Sequence, residues 1–170
     1  MSAEYLVPRD DLSSVADVDL FWAVVKPMWN DLDFYGHPRK ANEFFEKASA
    51  SQGAMIAIWW CRSEVCNGGF DQFFWNSTGM IWPQALNGFR LVGADSYAAL
   101  LADALKMFPG SIAPLNRNER DQALESNSDR MSVFDPIDEA FFALERDTDR
   151  NLDCICAKYI RSHPAEFFKD

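Results

Sequence analysis

The stretch from Ser51 to Gly79, SQGAMIAIWWCRSEVCNGGFDQFFWNSTG, constrains the fold more than any other. Met55, Ile56, Ile58, Trp59, Trp60, Val65 and Cys66 point in nearly every helical direction, so a helix here must be buried on most sides. The remaining chain then has to pack around it. Asn67-Gly68 tolerates left-handed backbone and predicts the end of that helix, with Gly68 as the residue at positive φ. A short aromatic helix over 69–76 follows, with Phe70, Phe73 and Phe74 on one side. Ser51 is the expected N-cap of the long helix.

The flanking segments read as amphipathic helices. After an extended lead-in over 1–12, Ser13 or Ser14 caps a first helix whose apolar stripe is Val18, Phe21, Trp22, Val25 and Trp29, with a kink at Pro27. A second helix over 39–50 turns Phe44, Phe45 and Ala48 inward. Trp82-Pro83 opens the next, burying Ala85, Leu86, Phe89 and Leu91 before Gly93 ends it. Asp95 caps a helix over 97–108, and a polar, solvent-facing helix runs through 116–125, followed by a break over 126–132. Asp135-Pro136 opens a helix that buries Ile137, Phe141, Phe142 and Leu144. The last, over 149–163, buries Leu152, Ile155, Cys156, Tyr159 and Ile160, and Phe167 and Phe168 tuck back onto the core. No period-two pattern persists, which makes the fold all-α: one domain over 1–170, with about eight or nine helices around the central one.

A chain that is 48% hydrophobic and 14% aromatic has ample apolar area to bury, which argues against disorder. No run approaches the ~18 apolar residues of a membrane span, and the first residues lack the order of a signal peptide. A soluble cytoplasmic protein is expected. Cys154 and Cys156 diverge by about 200° on a helix, and Cys61 and Cys66 diverge as well. These thiols therefore read as reduced, buried small hydrophobes, without a metal or cofactor.

Charge is the second strong signal. The net −10 is uneven: residues 1–60 hold 9 acids and 5 bases, residues 61–120 hold 5 and 5, and residues 121–170 hold 12 and 6. Asp135, Asp138, Glu139, Glu145, Asp147, Asp149 and Asp153 form a run diluted only by Arg146 and Arg150. On a helix it places one acid per about 4 Å, close to the spacing of about 3.4 Å between phosphates of one DNA strand. Asp17, Asp19, Asp31 and Asp33 crowd the ends of the first helix. Such a surface repels nucleic acid and membrane lipid and attracts basic proteins, although acids also serve plain solubility.

Glu64-x-x-Asn67-Gly68-Gly69-Phe70 has catalytic potential, a carboxylate beside free N–H groups at a helix start, whereas Cys66 and Ser77-Thr78 have no base fixed near them as nucleophiles. The structural reading is stronger, because Glu64 can accept those N–H groups itself and lock the turn. The string from Glu64 to Gly79, followed by Ala85 and Leu91-Val92-Gly93-Ala94, resembles the core signature of a bacterial family named for a DNA-mimic protein. Lys158 to Pro164, with Phe167, is similar to that family's ending, and the resemblance runs from Ala41 to Phe168. It implies an acidic all-helical protein without cofactor that occupies the DNA-binding surface of a transcription factor or another basic DNA-binding protein and relieves repression. Direct nucleic-acid binding and membrane binding are not expected. The acids from Asp135 to Asp153 are then the partner-binding set, and Glu64, Asn67, Gly68, Gly69, Phe70 and Asn76 are structural. Two other readings stay open, an immunity-type inhibitor of a basic nuclease or toxin and an enzyme using Glu64 and Asn67. A homodimer is compatible with the sequence.

Overall fold

The structure is a computed structural model that describes residues 5–8, 15–125 and 132–169. Among these residues run eight α-helices and a short parallel pairing of β1 (Val7–Pro8) with β2 (Phe168–Lys169). The fold is all-α. α1 (Asp17–Val25) buries Leu20, Phe21, Val24 and Val25. Val18 is 48% exposed, so the apolar stripe lies further round the helix than Val18 suggests. Pro27 cannot continue the helical ladder, and the chain tightens there into a 3₁₀ segment, Lys26–Asp31. The expected caps Ser13 and Ser14 lie outside the described residues, as does most of the break over 126–132.

After α2 (Pro38–Lys47) comes the central helix α3 (Ala50–Trp75). Its N-cap is Ser49 rather than Ser51. The Ser49 hydroxyl accepts the Gln52 N–H at 3.2 Å, and the Gln52 side chain accepts the Ser49 N–H at 3.2 Å, a reciprocal capping box. Ser51 is already inside the helix and buried, bonded to the Tyr159 hydroxyl and the Glu166 carboxylate. All of residues 51–58 are buried, as a helix apolar on every side requires.

The expected break is present within α3, with its roles shifted by one residue. Gly68 has φ −159°, and Gly69 is the left-handed residue at φ 74°. A Cβ on Gly69 would run into the Asp138 carboxylate, whereas one on Gly68 would meet only the flexible Gln72 side chain. Gly69 is therefore the position that cannot take a side chain.

α4 (Trp82–Leu91) lies against the first limb of α3 at a glycine. A Cβ on Gly88 would sit 3.2 Å from the Ala54 Cα, so the small residue permits the close approach. Leu91, read from sequence as core, is 42% exposed at the end of α4. α5 (Asp95–Leu105), α6 (Arg117–Glu125), α7 (Asp135–Arg146) and α8 (Leu152–Ser162) complete the shell. α6 is not merely solvent-facing, since Arg120 and Leu124 are both buried. Phe70, Phe73, Phe74, Phe134 and Phe141 are almost wholly enclosed and form the centre. Trp59 and Trp60 are half-buried at its edge, with Trp60 stacked on Trp29 at 4.2 Å between ring centroids. Phe167 and Phe168 tuck in as expected. Cys61, Cys154 and Cys156 are buried thiols, but Cys66 is exposed because it sits on the outer side of α3 just before the break.

Candidate functional site

Two polar knots hold the broken end of α3. The first is built on Glu64, which is 6% exposed. It accepts from the Thr78 hydroxyl at 2.7 Å, the Gln72 amide at 2.8 Å and the Asn76 amide at 2.9 Å, with the Tyr35 hydroxyl at 3.4 Å. Every donor is a side chain, so Glu64 does not take the N–H groups of the glycine turn as the sequence suggested. Asp138 of α7 does that, accepting the Phe70 N–H at 2.8 Å. The reason is direction: a side chain on a helix points back toward its N-terminus, and Glu64 meets residues that fold over it after the break. Asn67 is exposed, and its side-chain amide donates to Gln72 at 3.0 Å.

The second knot is Arg120, fully buried on α6. Its guanidinium donates to four backbone carbonyls: Phe74 at 2.5 Å, Asn76 at 2.7 Å, Pro114 at 2.8 Å and Leu115 at 3.1 Å. Two of these belong to the end of α3, where a helix gathers partial negative charge. Burial, with Arg117 nearby, pulls the Arg120 pKa down to about 10. Arg117 stays outside, its Nε on the Trp75 carbonyl at 2.9 Å and its charge over the Trp75 ring.

The acidic run divides into two groups. Asp135, Glu139 and Asp149 are exposed, and Asp147 is partly exposed, with its carboxylate accepting the Asp149 N–H at 3.0 Å. Glu145 and Asp153 face inward onto Arg62, the only basic residue between Lys47 and Arg90. Arg62 donates Nε to Glu145 at 2.6 Å and forks onto both oxygens of Asp153 at 2.6 and 2.9 Å. The other oxygen of Glu145 takes the Tyr97 hydroxyl at 2.6 Å and the Leu152 N–H at 3.2 Å. Burial works against the Arg62 charge, but Asp153 and Glu145 outweigh it and its pKa is raised. Burial and the bond to Glu145 push the Tyr97 hydroxyl well above its usual range. Asp138 is the third inward member of the run. Reversing Asp138 or Glu145 to Lys would therefore disturb the fold, although both belong to the set read from sequence as partner-binding.

At the first helix, Asp17 pairs with Arg161 at 2.6 Å, Asp31 accepts the Tyr5 hydroxyl at 2.6 Å, and Asp33 holds His37 at 2.9 Å and the Gly36 N–H at 2.7 Å. The His37 and Gly36 bonds hold the Asp33 carboxyl below its ordinary range. Asp19 is exposed. α1 packs on α8, and Asp17 sits beside Arg161 in the last turn of α8.

The family model of the DMP19-like protein matches residues 46–163, which take in both limbs of α3, Glu64, Arg120 and the whole acidic run. The chain belongs to the DMP19-like protein family. No curated protein and no solved structure matches it. No helix among the described residues of this DMP19-like protein is long and apolar enough to cross a membrane.

Sequence reasoning missed Arg62, Tyr97 and Arg120. Arg62 had a signal, being a lone cation inside an apolar helix and seeking buried carboxylates. Arg120 had none, since its neighbours Asn118, Glu119 and Asp121 are polar on every side.

Proposed function

We propose that this DMP19-like protein is a cytoplasmic DNA mimic. It occupies the DNA-contacting surface of a basic DNA-binding protein, such as a transcription factor, and so blocks its hold on DNA. The observation that carries the reading is the membership of the family together with the exposed or partly exposed acids Asp135, Glu139, Asp147 and Asp149 on α7 and the corner after it, whose side chains are not consumed by the core. Exposed carboxylates offer a basic groove the negative charge that phosphates offer it. Glu64 and Asn67 in this reading only hold the turn, and the protein is not an enzyme.

The test begins with proteins that the chain retains at low salt and releases at high salt, identified by mass spectrometry. A retained DNA-binding protein should be displaced by duplex DNA, with affinity falling steeply as salt rises. Changing Asp135, Glu139, Asp147 and Asp149 together to Lys should abolish the binding and leave the thermal transition in place, because none of the four is locked inside. Salt-independent binding, or a quadruple variant that still displaces DNA, overturns the proposal. A basic nuclease as the retained partner would favour the immunity-type reading instead.

A further inference from the structure

Asp138 stands apart from the other acids of its run. It leaves the surface of α7, reaches the break in α3 and accepts the Phe70 N–H at 2.8 Å, so that one helix caps another in trans. It fits so closely over Gly69 that a Cβ there would collide with its carboxylate. Among the described residues, the charged groups acting on it are carboxylates: Asp135 and Glu139 on its own helix, and Asp71 on the second limb of α3.

We propose that Asp138 is a proton-sensitive positioning residue, whose carboxyl pins the acidic helix α7 to the glycine break and holds it more firmly when protonated than when charged. The geometry permits both states. A neutral carboxyl keeps a carbonyl oxygen for the Phe70 N–H, while the charged form sits half-buried among three like charges. Burial raises the Asp138 pKa to about 6, against the lowering effect of the Phe70 N–H, and the neighbouring acids add to the rise. Because the folded value lies above the ordinary 3.8, the contribution to stability is fully present below 3.8 and is lost as pH rises through about 6. The consequence for partner binding rests on the proposed function: acidification would tighten the attachment of the helix that carries Asp135 and Glu139 to the core.

The experiment uses the free protein, so its outcome does not depend on any partner. Carbon-13 NMR of the Asp138 carboxyl should show a midpoint near 6, and Asp138 should contribute a fall in urea midpoint between pH 3.8 and 6 to the wild-type profile. Asp138→Asn keeps an acceptor and loses the charge, so this fall should shrink and the Phe70 amide should stay protected from hydrogen exchange. Asp138→Ala should expose that amide, speeding its exchange by roughly 10-fold. A wild-type midpoint at the ordinary 3.8 overturns the proposal, as does an unchanged pH profile in Asp138→Asn. Protection of Phe70 in Asp138→Ala equal to that of the wild type also overturns it. If Asp138→Ala does not fold, the carboxyl titration and the Asn variant decide.

Discussion

Arg62 and Arg120 are both withdrawn from water, yet they are matched by opposite means. Arg62 meets two carboxylates, and its pKa rises in spite of burial. Arg120 donates instead to backbone carbonyls, and its pKa falls to about 10. A buried cation thus has two routes to compensation, a formal countercharge or the collected dipoles of a helix end. The first ties side chains on α3, α7 and α8. The second ties main chain, closing the end of α3 against the loop that leads into α6.

Replacing the cation whose partners are main chain should cost the most, because carbonyls cannot be removed along with it. Arg120→Met leaves buried acceptors at the end of α3 and before α6, and should lower unfolding free energy by about 4 kcal/mol in urea titrations. Arg120→Lys should recover little, since a single ammonium cannot serve a fork of carbonyls. A loss under about 1 kcal/mol would break the contrast.

Arg62→Met comes next, at about 3 kcal/mol, because Glu145 and Asp153 would be left partly buried without their cation. Adding Glu145→Gln and Asp153→Asn to that variant should restore a good part of the loss, which no second change can do for Arg120. Strict additivity of the three substitutions in the same titration would show that the carboxylates do not answer to Arg62.

The smallest effect is expected at Asp149, in the same acidic run and four residues from each of these partners. Its side chain is exposed, and Asp149→Lys should move stability by no more than about 0.5 kcal/mol in calorimetry. A larger change would mean that the corner between α7 and α8 is less forgiving than its exposure indicates.

Much of this architecture is legible before any coordinates. Apolar periodicity located every helix within a few residues, and the glycine pair marked the break in α3. Caps were less legible: Ser49 and Ser51 both suit the role, and only the reciprocal bond with Gln52 decides between them. Gly68 and Gly69 are equivalent as letters, and the packing of α7 assigns the positive φ to the second. The acidic run was legible as composition but not as surface. Asp138, Glu145 and Asp153 differ from Asp135, Glu139 and Asp149 only in which way the helix turns them and in what waits there. For two of them that partner is Arg62, more than eighty residues away in the chain.

The pairing of Val7–Pro8 with Phe168–Lys169 has a consequence in time. As the chain leaves the ribosome, the segment at residue 7 has no strand to join until residue 168 has been synthesised. The helices in between can assemble while translation continues, each finding a neighbour already made. The seam at Val7, with Phe167 and Phe168 sealing the core beside it, is the last step, and it closes the chain on itself. A product truncated before Pro164 would carry all eight described α-helices and still lack this closure. Such a product should be recognisable by digestion that starts at its first residues.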